Sequence, residues 1–214
     1  RLVLASSSAV YGPREIYPGE TVTTDVPYLP PNLYGFWKIC NEGMGQAFHR
    51  ETGIPTVCIR LSTCYGPGRD LGMTSAPTAM LKCAAAGQRF RMPYQGREHF
   101  HFVGDVGAGF AEAAISPFKG YGAFNLRGIT VHTEEFIRTI QQVGGELGLE
   151  NVDVGIEESA QGMPFVNDLD AKAALEAFPA MSLTSIEDGI RVSLKAFKAL
   201  ADAGELEAAY NPGG

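Results

Sequence analysis

Short apolar runs alternate along this chain with segments whose apolar residues recur at helical spacing. The runs at Leu2–Ala5 and 56–61 (TVCIRL) predict buried strands. Between them, the apolar residues of 32–52 recur every three or four positions, and Gly53 and Pro55 end the pattern. Similar patterns predict strands at Ala123–Leu126 and Val152–Ile156, and helices beginning near Thr74, Asp105, Thr133, Asp168 and Thr184. This alternation predicts a parallel sheet of the α/β type.

Polar residues at the predicted helix starts indicate how some of these helices are capped. Asp105 and Thr133 are expected to be N-caps, and Thr184 with Glu187 has the spacing of a capping box. A proline-rich stretch, 13–31, separates the first strand from the first helix and is predicted to be a long loop. A loop of this length in a compact domain often has a functional role.

Composition and charge exclude several classes of protein. The 214 residues carry a net charge of −7, whereas a nucleic-acid-binding protein usually has a basic face. No apolar run approaches the roughly 20 residues of a membrane-spanning helix. The four cysteines form no CxxC pair and have no histidine at zinc spacing, which favours reduced, buried thiols and no metal site. We therefore expect a cytoplasmic protein that binds neither nucleic acid nor membranes.

The strongest candidate chemistry lies in Ser7, Tyr34 and Lys38. Tyr34 and Lys38 are four residues apart and share one helix face, where an ammonium group stabilises a phenolate and lets it act as a general acid or base. Such a pair taken alone is more often a surface tyrosine and a solvated lysine. However, Ser6–Gly12 and 60–68 each follow a predicted strand, and ligands of open α/β sheets bind at the carboxyl ends of the strands.

Three motifs resemble the extended short-chain dehydrogenase/reductase superfamily, and within it the NAD-dependent sugar epimerase/dehydratase family. They are ASSSAVYG at 5–12, LYGFWK at 33–38 and RLSTCYGPGR at 60–69. Segments 100–113, 122–128 and 182–191 are also similar to that family. The resemblance implies an α/β fold, namely a partial Rossmann-type, doubly wound parallel sheet with a small C-terminal substrate-binding lobe. It implies that 1–65 and 99–148 form the second half of a dinucleotide-binding domain, intertwined with a substrate lobe formed mainly by 66–98 and 149–214.

The resemblance also implies roles for single residues. Tyr34 would be the catalytic acid or base, Lys38 would bind the nicotinamide ribose, and Ser7 would bind the reacting oxygen. Leu61 and Ser62 would join Tyr34 and Lys38 beside the cofactor, which is NAD or NADP. Ser8 and Thr63 would join Ser7 at the substrate. The implied partners are a small sugar-like molecule and a second copy of the chain in a homodimer.

The chain departs from the family pattern at several places. The glycine-rich dinucleotide fingerprint is absent, and the match begins near the fifth strand of the family fold, so about 100 further residues are expected before Arg1. Family dehydratases have an Asp-Glu pair where this chain has Ser8 and Ala9, which disfavours dehydration.

Two further departures concern the substrate. Family members that act on nucleotide sugars have an asparagine in place of Thr63, and an arginine, suited to a diphosphate, in place of Glu98. Other arginines of the chain could substitute for it, namely Arg69, Arg89, Arg91 and Arg97. A carboxylate would repel a diphosphate. The open alternatives are therefore a sugar epimerase, a dehydrogenase of a small sugar or sugar acid without a nucleotide group, and a truncated or regulatory protein without catalytic activity.

Overall fold

The computed structural model describes residues 1–207, which form eight strands and six α-helices. The strands are β1 (Leu2–Ser7), β2 (Thr56–Leu61), β3 (Thr63–Tyr65), β4 (Phe90–Gln95), β5 (Arg97–Phe102), β6 (Tyr121–Asn125), β7 (Ile129–His132) and β8 (Val154–Gly162). The helices are α1 (Leu33–Thr52), α2 (Ala76–Ala85), α3 (Val103–Ile115), α4 (Thr133–Glu146), α5 (Lys172–Ala177) and α6 (Ile186–Asp202). No helix within the described residues is long and apolar enough to span a membrane.

Two compact units are formed from interleaved segments. The first unit contains 1–62, 104–128 and 164–183, and the second contains 63–103, 129–163 and the described residues from 184 onward. The units divide the chain differently from the predicted domains, since 63–65, 99–103 and 129–148 lie in the second unit and 164–183 lies in the first. The assignment of one unit to the cofactor and the other to the substrate stays a prediction.

The first unit is built on a parallel sheet with strand order β1-β2-β6. Alternate residues of its strands point to opposite faces. On one face, Gly45 of α1 lies against Leu4 and Cys58. On the other, Val57 and Ile59 join an apolar core shared with α3 and α5. Helices thus cover both faces, as in a doubly wound α/β fold, which confirms the predicted class.

The predicted helix over 32–52 is present as α1. The side chain of Asn32 caps it by accepting a hydrogen bond from the backbone N–H of Gly35 at 3.0 Å. Gly53 ends it in the left-handed conformation, with φ of 69°. The predicted strand at 56–61 coincides with β2.

The second unit has a sheet of order β3-β5-β7 and a separate pair of parallel strands, β4 and β8. β3 and β5 are parallel, but β5 and β7 are antiparallel, a departure from the all-parallel expectation. Helices α2, α4 and α6 pack around an apolar core that includes Met80, Phe136, Ile140 and Leu194.

Three predicted helix caps are wrong, Asp105 by three residues and Thr133 and Thr184 by one residue each. Asp105 lies within the first turn of α3, where its carboxylate accepts a hydrogen bond from the Ser182 hydroxyl at 2.7 Å. Thr133 is the first residue of α4, and its hydroxyl accepts from the backbone N–H of Gly96 at 3.0 Å. The N-cap of α6 is Ser185 rather than Thr184, because Ser185 has the extended backbone that a cap requires and accepts from the N–H of Asp188.

Candidate active site

Ser7 ends β1 and begins a tight turn. Its hydroxyl accepts a hydrogen bond from the backbone N–H of Ala9 at 3.2 Å and so caps a short 3-10 helix, Ser8–Val10. Ser8 is buried, and its carbonyl accepts from the N–H of Tyr11 at 3.0 Å. In the sheet register Ser7 lies opposite Leu61. The carboxyl ends of β1 and β2 therefore meet at one edge of the sheet, as expected for a ligand site.

Tyr34 and Lys38 lie in the first two turns of α1. The Lys38 ammonium is 5.5 Å from the centre of the Tyr34 ring, and it donates a hydrogen bond to the carbonyl oxygen of Ala5 in β1 at 3.0 Å. Lys38 thereby connects the helix to the strand that ends at Ser7. The side chain of Tyr34 stays accessible, with 45% of the residue exposed.

Gly35 permits a close approach between α1 and the turn after β1. A Cβ atom at this position would overlap the carbonyl oxygen of Ala9 and would also collide with Pro30. Only glycine fits such a contact without displacing backbone. Because Tyr34 precedes Gly35 and Ser7 binds the N–H of Ala9, this contact brings the turn that carries Tyr34 next to the turn that carries Ser7.

A buried ion pair joins α1 to the sheet below these residues. The Arg60 guanidinium donates to both carboxylate oxygens of Glu42, with Nε–Oε1 and Nη2–Oε2 distances of 2.9 Å each. Ser6 donates to Oε1 of the same carboxylate at 2.5 Å. Burial raises the pKa of Glu42, but the hydrogen bond and charge of Arg60 outweigh burial, so that the pKa lies below its ordinary value.

Sequence reasoning missed this pair, although two signals for it are present. Glu42 follows Lys38 by four residues and Tyr34 by eight, so all three lie on one face of α1. Arg60 is a single charged residue in an otherwise apolar strand, and a buried charge needs a partner.

The remaining predicted site residues follow β2. Leu61 ends β2 and packs against the apolar core of the first unit, and Ser62 comes directly after it. Thr63 belongs to the second unit, where its hydroxyl donates to Oε2 of Glu98 at 2.7 Å. The side chains of Thr63 and Glu98 are both buried. The two departures from the nucleotide-sugar pattern are therefore in direct contact with each other.

Glu98 is a carboxyl group with an unusual titration. Burial raises its pKa to about 7, an effect that the hydrogen bond from Thr63 only partly opposes. In the unfolded chain the group titrates near its ordinary value of 4.5. The folded state therefore holds the proton more tightly, and the contribution of Glu98 to stability falls as pH rises from about 4.5 to about 7.

We expect Glu98→Gln to remove this part of the pH dependence. Between pH 5 and pH 8 the wild-type free energy of unfolding should fall relative to that of Glu98→Gln, by up to about 3 kcal/mol. Any fixed cost of burying the amide cancels in this comparison. Denaturant unfolding at a series of pH values measures the difference, and Glu51→Gln, at an exposed position of α1, is the control. Parallel stability curves for the wild type and Glu98→Gln would show that Glu98 does not titrate in this range.

Two histidines follow Glu98 in β5. His99 and His101 are buried on one face of β5, with ring centres 5.0 Å apart, and Nδ1 of His99 lies 2.9 Å from the hydroxyl of Thr130. Within residues 1–207, no group of three or more His, Cys, Asp or Glu side chains is placed to hold a metal ion. These contacts are consistent with packing within the second unit.

A doubly wound α/β fold with polar residues after its parallel strands is typical of proteins that bind dinucleotides at the carboxyl edge of the sheet. The profile of the NAD dependent epimerase/dehydratase family matches residues 1–126. The chain belongs to this family, which confirms the resemblance seen in its motifs.

Two known proteins are similar to this chain in sequence. An uncharacterized 37.6 kDa protein in the cld 5′ region of Escherichia coli O111:H- is 26% identical over 89% of this chain and 60% of its own length. D-Erythronate dehydrogenase of Haemophilus influenzae is 25% identical over 74% of this chain and 52% of its own length. The chain thus spans between about half and three-fifths of these relatives.

Solved structures show the same fold. A mutant UDP-glucuronic acid 4-epimerase from Bacillus cereus, in complex with a fluorinated UDP-glucuronic acid and NAD, superposes with a TM-score of 0.74 at 20% identity. The match covers 92% of this chain and 61% of that enzyme. At this identity the likeness establishes the Rossmann-like fold and leaves the substrate open.

Proposed function

We propose that the protein containing this chain is a nicotinamide-dependent oxidoreductase that acts at a hydroxyl-bearing carbon of a sugar or sugar-like molecule. The observation that carries the proposal is the position of Lys38. Its ammonium bridges to Ala5 of β1 while lying beside the Tyr34 ring, at the sheet edge where Ser7 ends its strand. A phenol, an ammonium and a hydroxyl at one edge are the groups needed to move a proton during hydride transfer.

In this proposal Tyr34 is the acid or base that removes or returns the proton of the reacting hydroxyl. Ser7 donates a hydrogen bond to the same oxygen and orients it. The partial exposure of Tyr34 leaves its hydroxyl open to a bound molecule. The cation of Lys38 stabilises the phenolate that forms when Tyr34 gives up its proton.

The residues present fit the nicotinamide ribose end of NAD or NADP. A lysine ammonium has three N–H donors, and Ala5 accepts one of them, which leaves donors for the ribose hydroxyls. Leu61 and Ser62 follow the neighbouring strand and would lie beside the nicotinamide ring. When bound, the cofactor supplies the site that accepts or returns the hydride.

The proposed roles of Ser7, Tyr34 and Lys38 suit either an epimerase or a dehydrogenase. In an epimerase the oxidised sugar rotates within the site and takes the hydride back on its other face. In a dehydrogenase the oxidised sugar is released as the product. Dehydration additionally needs a carboxyl pair, and this chain has Ser8 and Ala9 where that pair would stand.

Incubating the natural protein with NAD and with NADP, and following absorbance of the reduced cofactor on a panel of sugars, sugar acids and UDP-sugars, tests the proposal. Absence of both cofactor reduction and sugar interconversion across the panel would count against it.

A second candidate, a dehydrogenase of small sugar acids without a nucleotide group, is favoured by the contact between Thr63 and Glu98. In support of this candidate, Glu98, which accepts a hydrogen bond from Thr63, occupies the sequence position at which nucleotide-sugar enzymes of the family have an arginine suited to a diphosphate. The similarity to D-erythronate dehydrogenase supports the same interpretation.

We therefore expect the natural protein to bind small sugar acids more tightly than UDP-sugars. Titration calorimetry with D-erythronate and UDP-glucuronic acid, each in the presence of NAD, measures this preference. The reason is charge, since Glu98 is partly ionised at neutral pH and repels the two charges of a diphosphate more strongly than the single charge of a sugar acid. Micromolar binding of the UDP-sugar would instead place the protein among nucleotide-sugar enzymes.

We further propose a homodimer in the cytoplasm. Large apolar side chains of α1, namely Phe36, Trp37 and Met44, are each more than half exposed, which supports an association through this helix. Light scattering of the natural protein gives its mass in solution, and a monomer at all concentrations would contradict the dimer.

A further inference from the structure

The ion pair between Glu42 and Arg60 is the centre of a larger polar network that is entirely contained in the first unit. Arg60 is 1% exposed and Glu42 is 2% exposed. Removing two charges from water costs several kcal/mol, which their attraction offsets only when the remaining hydrogen bonds are also satisfied. A pair of hydrophobic residues would hold a helix on a sheet at lower cost, so the retained charges need another explanation.

The hydrogen bonds of the network are nearly complete. Nη1 of Arg60 donates to the hydroxyl of Tyr11 at 2.5 Å and to the carbonyl of Thr24 at 3.2 Å, and Nη2 donates to the hydroxyl of Tyr28. The Tyr28 hydroxyl in turn donates to Oε2 of Glu42 at 3.0 Å. The guanidinium also lies 5.1 Å and 5.0 Å from the ring centres of Tyr11 and Tyr28.

The network reaches every segment that carries a proposed catalytic group. Ser6, which donates to Glu42, is the residue before Ser7. Glu42 is one helical turn beyond Lys38, on the face that also holds Tyr34. Arg60 precedes Leu61 and Ser62, and Tyr11 closes the turn that begins at Ser7. The directional bonds of one guanidinium thus fix β1, β2 and α1 relative to one another near the site.

From this geometry we infer that Glu42 and Arg60 are positioning residues, which set the distance between Ser7 at the end of β1 and the Tyr34–Lys38 face of α1. Apolar packing tolerates sliding of a helix along a sheet, whereas a bidentate guanidinium–carboxylate pair permits one register. The inference rests on the proposed function, because it assigns a task to the network through Tyr34, Lys38 and Ser7.

The test compares Glu42→Gln and Arg60→Lys with a variant that is destabilised elsewhere on the same strand. Glu42→Gln keeps the size of the side chain and removes its charge, and Arg60→Lys keeps the charge and removes the planar fork. Ile59→Val is the control, because Ile59 lies on the opposite face of β2 and its loss of one methyl group costs about 1 kcal/mol without touching α1. All three are measured in the natural protein for kcat, KM and unfolding midpoint.

We expect kcat to fall between about 10-fold and 100-fold in Glu42→Gln and in Arg60→Lys, with KM changed little, because displaced catalytic groups lose reaction geometry before they lose binding. Ile59→Val should keep the wild-type kcat. In a Tyr34→Phe background, Glu42→Gln should have almost no further effect on kcat, since both changes act through the same hydroxyl.

Other outcomes separate this inference from the proposed function. If Tyr34→Phe abolishes turnover but both network variants keep the kcat of Ile59→Val at similar stability, the positioning role is wrong and the proposed chemistry stands. If Tyr34→Phe retains turnover, the proposed function fails instead. Should Glu42→Gln not fold, Tyr28→Phe decides, because it removes the hydroxyl that bridges Glu42 and Arg60 from a partly exposed position; an unchanged kcat there would overturn the inference.

Discussion

Replacement of Tyr34 by phenylalanine is expected to lower kcat of the natural protein by at least about 100-fold, and up to about 10,000-fold. The change removes one hydroxyl from a residue that is 45% exposed, and it keeps the ring that contacts Lys38 and Trp37. The fold should therefore be unaffected while the proton of the reacting hydroxyl loses its acceptor. Steady-state kinetics measure the effect, with the reduced cofactor as the signal for a dehydrogenase and the interconverted sugar as the signal for an epimerase.

The control for this experiment separates loss of chemistry from loss of structure. The unfolding midpoint of Tyr34→Phe should stay close to that of the wild type. Lys195→Ala, at an exposed position of α6, should leave both turnover and stability unchanged. A Tyr34→Phe enzyme with a kcat near the wild-type value would show that another group moves the proton.

Adding a single methyl group at Gly35 is expected to lower both activity and stability. The Cβ of Gly35→Ala would overlap the backbone carbonyl of Ala9, which has no flexible side chain to move aside. α1 must then shift away from the turn after β1, carrying Tyr34 with it, and misplacement of about 1 Å can cost about 100-fold in rate. We expect a loss of about 1–3 kcal/mol in stability, as for other overpacked sites, together with a lower kcat.

Gly43 offers a matched substitution on the same helix. It is exposed, and a Cβ there would meet no atom within 4 Å. Gly43→Ala should therefore stabilise the protein by about 0.5–1 kcal/mol and leave kcat unchanged. Equal effects of the two substitutions on kcat would mean that the contact of α1 with Ala9 does not position Tyr34.

The sequence predicted the elements of the first unit best, because their patterns are strong and local. The apolar positions of 32–52 recur at helical spacing between a capping asparagine and a glycine, and α1 follows that pattern to within one residue. β2 was predicted with its observed bounds, since an apolar run covered on both faces has a clear signal. The same patterns predict that the candidate catalytic and binding residues follow β1 and β2.

The second unit was predicted less well, for physical reasons. β4 contains Pro93, and β5 (REHFHF) is rich in charged and polar residues, so neither has the apolar pattern of a buried strand. The burial of Glu98 depends on tertiary packing and on its bond to Thr63, 35 residues away. Local patterns carry no information on such a contact.

The network around Arg60 marks the same limit within the first unit. Each member was visible in the sequence, and Arg60 and Tyr11 lie within the motifs that indicated the family. Their partnership depends on which helix face meets which strand, and α1 has charged or polar residues on more than one face. Once β1, β2 and α1 are placed, Glu42 and Arg60 are expected to pair, because an unpaired buried charge is costly in free energy.

The fate of a deuterium label on the hydroxyl-bearing carbon of the substrate tests the central claim most directly. We predict that the label moves as hydride, so that mass spectrometry finds it in the reduced cofactor if the enzyme is a dehydrogenase, or back on the same sugar carbon if it is an epimerase. In either case none should reach the solvent during turnover. Release of the label into water would contradict hydride transfer and would show that the carbon is deprotonated instead.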